Sequence, residues 1–375
     1  MPTAPRPVYQ QIMDRLERDI RAGKYAAGQK FPSEAALVKR FGVSRITVGR
    51  AVREMQQHGL LDRVAGSGTY VRGPEQQRRG GLLFGLVIPN LGETEIFEPI
   101  CQGIAASPQA AGSALLWPHA GQRTATKEEQ AVELARQAIA RGVAGIFFAP
   151  LEFSAASSLV NARVMKLIAA ARVPVVLLDR RPEESAGHRA SDLVGIDNHR
   201  AGYMATAHLL GMGVGMGVRR AGFVRLEGQA TTVKARVRGY RDALRDFGAG
   251  GHVFTIPPGE TFVLPPAARD CEAFVCANDR VAGRLMHALL AAGLRIPRDI
   301  RIVGIDDVNY ASLLPVPLTT VHQPCRDIGE AALRVMLERL DRPKMPARDV
   351  LLECTLVVRE SCGAGFTDLF SPDSV

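Results

Sequence analysis

At 375 residues the chain is longer than a single hydrophobic core serves, since cores stop growing near about 250–300 residues, so two or three domains are expected. Its 46% hydrophobic and 23% charged residues are those of an ordinary globular protein, and no run approaches the roughly 18 apolar residues of a membrane span. The formal net charge of +9 is concentrated at one end: residues 1–80 hold 15 Lys and Arg against 7 Asp and Glu, the remainder 32 against 31. A module that neutralises phosphates carries such an excess. Six scattered cysteines form no CxxC pairs and have no His clusters nearby, so no metal site, disulfide framework or cofactor is expected. The first residues lead into an amphipathic helix and not into an apolar signal core, so the expected location is cytoplasmic.

In chain order, Val8, Ile12, Leu16 and Ile20 recur every four residues and predict a helix ending at Gly23. Phe31–Met55 follows as two short helices joined by a tight turn. Ser33 is a good N-cap, Glu34 suits the positive end of a helix dipole, and Gly42 can take the turn's unusual angles. Ser44 caps a second helix in which Val48, Ala51, Val52 and Met55 recur at helical spacing. Its other face carries Ile46, Arg50 and Arg53, with Arg45 in the first turn. A short helix, a glycine turn and a cationic second helix make a helix-turn-helix, the shape that fits a major groove. An ordinary helical hairpin with a solvated basic face is the competing reading of these residues alone. After Gly59, Leu60–Val64 alternates as a strand, and Gly66, Ser67 and Gly68 turn into Thr69–Val71. That hairpin's basic flanks, Arg63 and Arg72, are placed to meet phosphate or the minor groove.

From "VYQQIMDRLERDI" to "GLLDRVAGSGTYV" the chain resembles a winged helix-turn-helix of the GntR family over that family's whole length. The resemblance implies operator DNA as partner. The family's Arg-x-Thr at the start of the recognition helix is present as Arg45 and Thr47. Gly49 stands where a second arginine is usual, and Ala35 where the preceding helix often carries one, which leaves Arg50 or Arg53 as substitutes. The expected DNA contacts are Ser33, Arg45, Thr47, Arg50 and Arg53, with Gly66, Ser67 and Gly68 of the wing turn.

Residues 74–82 are polar, lack apolar periodicity and predict a linker between a head, 1–73, and a second part, 83–375. From Leu83 apolar runs alternate with helical segments. Candidate strands are Leu83–Pro89, Ser113–Trp117, Gly145–Ala149, Val175–Leu178, Leu193–Ile196, Gly222–Val224, Ala273–Cys276 and Arg301–Ile305. Helices are expected at Lys127–Arg141, Ala155–Ala171, Arg200–Leu210, Thr232–Phe247 and Arg280–Ala292. The fold class is therefore α/β, with parallel sheets in two lobes.

Ligands of open parallel sheets bind outside the carboxyl ends of the strands. Asn90, Asp179, Asn278 and Asp306 each follow a strand, and Arg236 sits early in a helix after one. Singly each reads as a cap or a turn; together they favour a shared pocket that holds a polyol by directional hydrogen bonds. Phe97, Trp117 and Phe153 lie near strand ends, where an aromatic ring stacks on a sugar or simply packs the core. Arg180 and Arg181 suit either a phosphorylated effector or ion pairs with Glu183 and Glu184.

The segments "VPVVLLDRR", "KARVRGYRDAL" and "AFVCANDRVAGRLMHALLAAGLRIPRDIRIVGIDDVNYASLLPVPLTTVHQP" resemble the LacI/GalR-type effector domain, akin to periplasmic sugar-binding proteins. By that resemblance Asp179, Arg236, Asn278 and Asp306 take effector-contacting positions, with Asn90 beside them. The same resemblance puts crossings between the lobes near Asp197–Asn198, Asp306–Tyr310 and His322–Gln323, and implies a homodimer. The segment Gly251–Asp270, with its prolines, replaces the helix usual there, and Cys325 replaces an aromatic residue. The two resemblances together imply a DNA-binding transcription regulator without enzymatic activity. It would be a repressor released from a palindromic operator by a pentose or hexose. A co-repressor, a phosphorylated sugar or a non-regulatory sugar-binding role are the alternatives.

Overall fold

In the computed structural model the described residues are 7–26, 28–57, 60–64, 67–71, 81–89, 91, 95–117, 126–154, 156–182, 191–211, 218–228, 230–257 and 266–364. Two compact units divide the chain: Met1–Phe84 with Ser107–Leu116, and Gly85–Ala106 with Trp117–Val375.

The first unit contains helices α1 (Val8–Arg21), α2 (Glu34–Phe41) and α3 (Arg45–Gln57), and a hairpin of β1 (Leu61–Val64) and β2 (Gly68–Val71). The hairpin is antiparallel with Leu61 opposite Val71, and Lys30 bridges to Tyr70 beside it. Leu16, Leu37, Val48, Met55 and Leu61 are sealed in one core. The four-residue spacing on α1 holds from Ile12 onward, whereas Val8 is exposed because it begins the helix outside that core. Ser33 caps α2 by accepting from the Ala36 N–H at 3.3 Å, and Gly42 closes it at φ 67°. A left-handed residue there costs glycine little and lets the chain turn sharply into α3. Asp19 ties α1 to α2 through Arg40 at 2.6 Å and also meets Lys24 at 2.8 Å.

From β3 (Leu83–Val87) onward the elements in chain order are α4 (Phe97–Ala106), β4 (Ala114–Leu116), α5 (Lys127–Ala140), β5 (Gly145–Phe148), α6 (Ser157–Ala170), β6 (Val175–Leu178) and β7 (Asp192–Ile196). Next come α7 (Asn198–Gly211), β8 (Arg220–Leu226), α8 (Thr231–Asp246), β9 (Gly250–Ile256), β10 (Ala273–Cys276), α9 (Asp279–Ala291) and β11 (Arg301–Asp306). The last are β12 (Thr319–His322), α10 (Cys325–Asp341), β13 (Asp349–Leu352) and β14 (Thr355–Val357).

Two sheets result, one per lobe. The first places β13, β7, β6, β5 and β3 side by side; the second runs β14-β12-β11-β10-β8-β9, parallel except at β14. Strands β5 and β10 are buried along their whole length, as expected where helices cover both faces. Glycines set one close approach: a Cβ on Gly239 of α8 would lie 1.9 Å from the His199 carbonyl oxygen of α7, and one on Gly202 of α7 2.1 Å from that of Arg236. The two helices thus meet backbone to backbone, which fixes where Arg236 sits.

The chain leaves the first sheet after β7, at Asp197, as the sequence predicts. It returns at Gln323–Pro324, where β12 gives way to α10, which packs on α4 and β7, and leaves again between β13 and β14, at Glu353–Cys354. The crossing expected near Asp306–Tyr310 is not one. That segment joins β11 to β12, neighbours in the same sheet, so the chain stays within its lobe there. In the segment expected to lack a helix, Gly250–Ile256 is strand β9 and Pro266–Asp270 a short 3-10 turn.

Candidate functional site

The head presents α3. Arg45 begins it and is exposed, its Nε 3.4 Å from Glu34 of α2. Ile46 is 82% exposed, an isolated apolar side chain beside the arginine. Ser44 caps the helix through the Thr47 N–H at 3.2 Å and meets the Thr47 hydroxyl at 2.8 Å. Arg50 is the most committed of the cations: its guanidinium lies 3.9 Å over the Tyr9 ring, donates to the Tyr9 hydroxyl at 3.2 Å and pairs with Glu54 at 3.3 Å. Arg53 is exposed one turn on, with its Nη1 beside Gly49. In the hairpin, Ser67 hydrogen-bonds the Tyr70 hydroxyl at 2.6 Å, and Gly68 takes φ 130° against the Lys30 side chain. Gly66 and Arg72 lie outside the described residues.

The second unit holds the other site. Asp179, Arg236, Asn278 and Asp306, from four separate elements, line one cavity of about 250 Å³. Phe97 and Phe153 line it too; Trp117 does not, and is exposed. Asn90 lies outside the described residues. Asp179 follows β6 at φ 66°, Asp306 ends β11 at φ 128°, and Asp307 follows at φ 54°. Such backbones cost on the order of 1–3 kcal/mol each and persist where their surroundings over-determine them, which is typical of binding sites.

Arg236 is the hub. It donates to Asn198 at 2.8 Å and to the Ala277 carbonyl at 2.5 Å, and its Nη2 lies 3.2 Å from Asp306. Asp306 also accepts from Gln323 Nε2 at 2.6 Å, while the buried Gln323 Oε1 has no partner among the described residues. Burial pushes the Asp306 carboxyl up to about 6 against the pull of Arg236. Asp279, which accepts from Thr320 and the Val308 N–H, rises to about 7 through burial and the nearby Asp306 charge. Asp179 is raised as well, again mainly by burial, with Arg180 opposing. Asn278 spends its side-chain oxygen on capping α9 at the Val281 N–H, 2.9 Å away.

Sequence reasoning missed Glu152, which lines the cavity, and Gln323, which holds Asp306 from behind it. Glu152 stands just beyond β5, so the strand-end rule that selected the aspartates would have found it. Among the described residues Arg180 pairs with Glu152 at 2.6 Å and Asp179 at 3.1 Å, and Arg181 with Asp349. Glu152 and Asp349 are far from their arginines in sequence, and the expected partners Glu183 and Glu184 lie outside the described residues.

Comparison with known proteins agrees with both halves. Residues 8–71 match the bacterial regulatory proteins of the gntR family, and residues 210–362 match the periplasmic binding protein-like domain. The chain is 25% identical to the arabinose metabolism transcriptional repressor of Geobacillus stearothermophilus, over 95% of this chain and 97% of that protein. It is 28% identical to the HTH-type transcriptional regulator reg1 of Streptomyces lividans, over 87% and 95%. Among solved structures it resembles a LacI family transcriptional regulator from Enterococcus faecium with bound ribose. There the TM-score is 0.57 at 22% identity, over 74% of this chain and 98% of that one.

Proposed function

We propose that this chain, a GntR-type helix-turn-helix head joined to a periplasmic-binding-protein-like domain, is a repressor that a small sugar releases from its operator. The observation that carries the reading is the cavity built from four separated polar residues, in a chain whose other unit exposes a basic recognition helix. A regulator of arabinose metabolism among the relatives and a ribose-bound structure among the neighbours favour a pentose or hexose. Residues 1–73 act as the head, 74–82 as the linker and 83–375 as the effector-binding and dimerising part, in the cytoplasm. Arg45, Thr47, Arg50, Arg53, Ser33 and the wing turn contact DNA; Asp179, Arg236, Asn278, Asp306 and Asn90 contact the sugar.

The mechanism is a population shift. Sugar bound between the lobes favours their closed arrangement, which changes how a dimer offers its two heads to a palindrome. A thermal-shift screen of free pentoses and hexoses, followed by an operator gel shift with each hit, tests it. A stabilising sugar that strengthens the shifted band would make the sugar a co-repressor; a screen in which no sugar stabilises the protein would end the sugar reading.

A further inference from the structure

Glu152 occupies a place built for an anion. Its side chain is 6% exposed, and its oxygens accept from Arg180 Nη1 at 2.6 Å, the Thr232 N–H at 3.3 Å, and the hydroxyls of Thr231 at 3.1 Å and Thr232 at 3.2 Å. A guanidinium, a helix N-terminal N–H and two hydroxyls are the donor set that holds a phosphate. The helix is α8, and its own N-cap, Ala230, provides no side-chain cap. Its positive end is therefore served by a carboxylate that arrives from the other lobe.

The two buried guanidiniums of the cavity, Arg180 and Arg236, are already engaged. Four lining side chains are cationic and four are carboxylates. Arg236 is used by Asn198, Ala277 and Asp306, and Arg180 also donates to the Pro150 carbonyl at 2.9 Å. Beside this network, among the described residues, Gln323 Oε1 is a buried acceptor without a donor and Arg181 Nε a buried donor without an acceptor; the Gln323 atom, on a residue that touches Asp306, suits a donor such as a hydroxyl.

We propose that Glu152 is a resident anion that fills the cavity's phosphate-type subsite, so that the site takes neutral polyhydroxylated ligands and rejects their phosphate esters. This rests on reading the cavity as the effector site. An ester group brought to α8 would meet the Glu152 charge in surroundings that screen it poorly, and would find its donors already engaged.

Charge removal tests it. The full chain, Glu152→Gln and Glu152→Ala are titrated calorimetrically with inorganic phosphate, free pentoses and hexoses, and their phosphate esters. The parent protein is expected to bind a free sugar and neither phosphate nor ester. Glu152→Ala, which empties the subsite, should gain phosphate and ester affinity by about 100-fold, the scale on which removing a like charge acts, and Glu152→Gln, which removes the charge but keeps the volume, should gain less. Adding Arg180→Ala should abolish the gain. Parent protein that binds an ester as tightly as the free sugar overturns the proposal, as does a folded Glu152→Gln protein with no gained phosphate affinity. A phosphate gain in the variants with no free sugar bound by any of them keeps the anion block and removes the sugar reading instead. Glu152→Gln keeps the shape of the side chain, so the test does not depend on the alanine variant folding.

Discussion

The Arg45 side chain on the head is 84% exposed and meets Glu34 at 3.4 Å, while the Arg236 side chain in the cavity is 5% exposed and is held by Asn198, Asp306 and a carbonyl. The same residue type thus serves two physical tasks. An exposed guanidinium keeps its hydration and its freedom, contributes little to folding, and is available to a polyanion at a cost that salt controls. A buried one has given up water entirely, so its position is set by the groups that replace water, and removing it leaves those groups unpaired.

The comparison breaks most visibly with salt. For six to ten phosphate contacts by the heads, operator affinity should fall by roughly 10³–10⁵ between 50 and 200 mM salt, whereas affinity for a neutral sugar should hardly move. Equal salt slopes for the two ligands, measured by fluorescence anisotropy and calorimetry, would erase the distinction. Next in size is Arg236→Ala. It strands Asp306 in the cavity wall and should cost about 3–5 kcal/mol of stability in the second unit, with loss of the effector response. Operator binding without effector should persist, which a gel shift checks. Arg45→Ala should weaken operator binding by about 1–3 kcal/mol and leave both sugar binding and the melting temperature unchanged. A fall in melting temperature as large as that of Arg236→Ala would show that exposure was a poor guide to its role.

The two units were also unequally legible in the sequence. The head could be read almost residue by residue, because its signals are local: Ser33 and Ser44 cap helices they adjoin, Gly42 takes the left-handed turn, and Val48, Ala51, Val52 and Met55 repeat at one helical spacing. In the second unit the buried strands β5, β6 and β10 announced themselves as apolar runs, and three residues that line the cavity, Asp179, Asn278 and Asp306, could be picked by their place after strands. The partners could not. Glu152 reaches Thr231 and Thr232 across about 80 positions, Arg181 reaches Asp349 across more, and the crossing at Glu353–Cys354 follows from sheet pairing that no local pattern encodes. Strands β12, β13 and β14 escaped notice for a related reason: short and partly polar, they are strands because neighbours pair with them.

Acid separates the units by sign. Burial raises Asp306, in the cavity wall, to about 6 and the buried Asp279 near it to about 7, from an ordinary 3.8. Between the ordinary and the raised values the folded protein binds more protons than the unfolded chain, so stability in this unit rises as pH falls from above 7 toward 4. In the head, Lys24 and Arg40 hold Asp19 down at about 2. There the unfolded chain binds more protons below 3.8, so the stability that Asp19 contributes is intact at neutral pH and is lost only as pH falls from about 4 toward 2. Amide hydrogen exchange read separately in α1–α2 and in β10–β11 should therefore show protection increasing in the strands between pH 7.5 and 5, after correction for intrinsic rates, with the head helices flat across that range. The interior carboxylates respond because they are dry, and Asp19 does not because its partners keep it charged. Protection that declined in the strands over that range would mean that Asp279 and Asp306 are already ionised at little cost, and that the Arg236 network supports the charge of both.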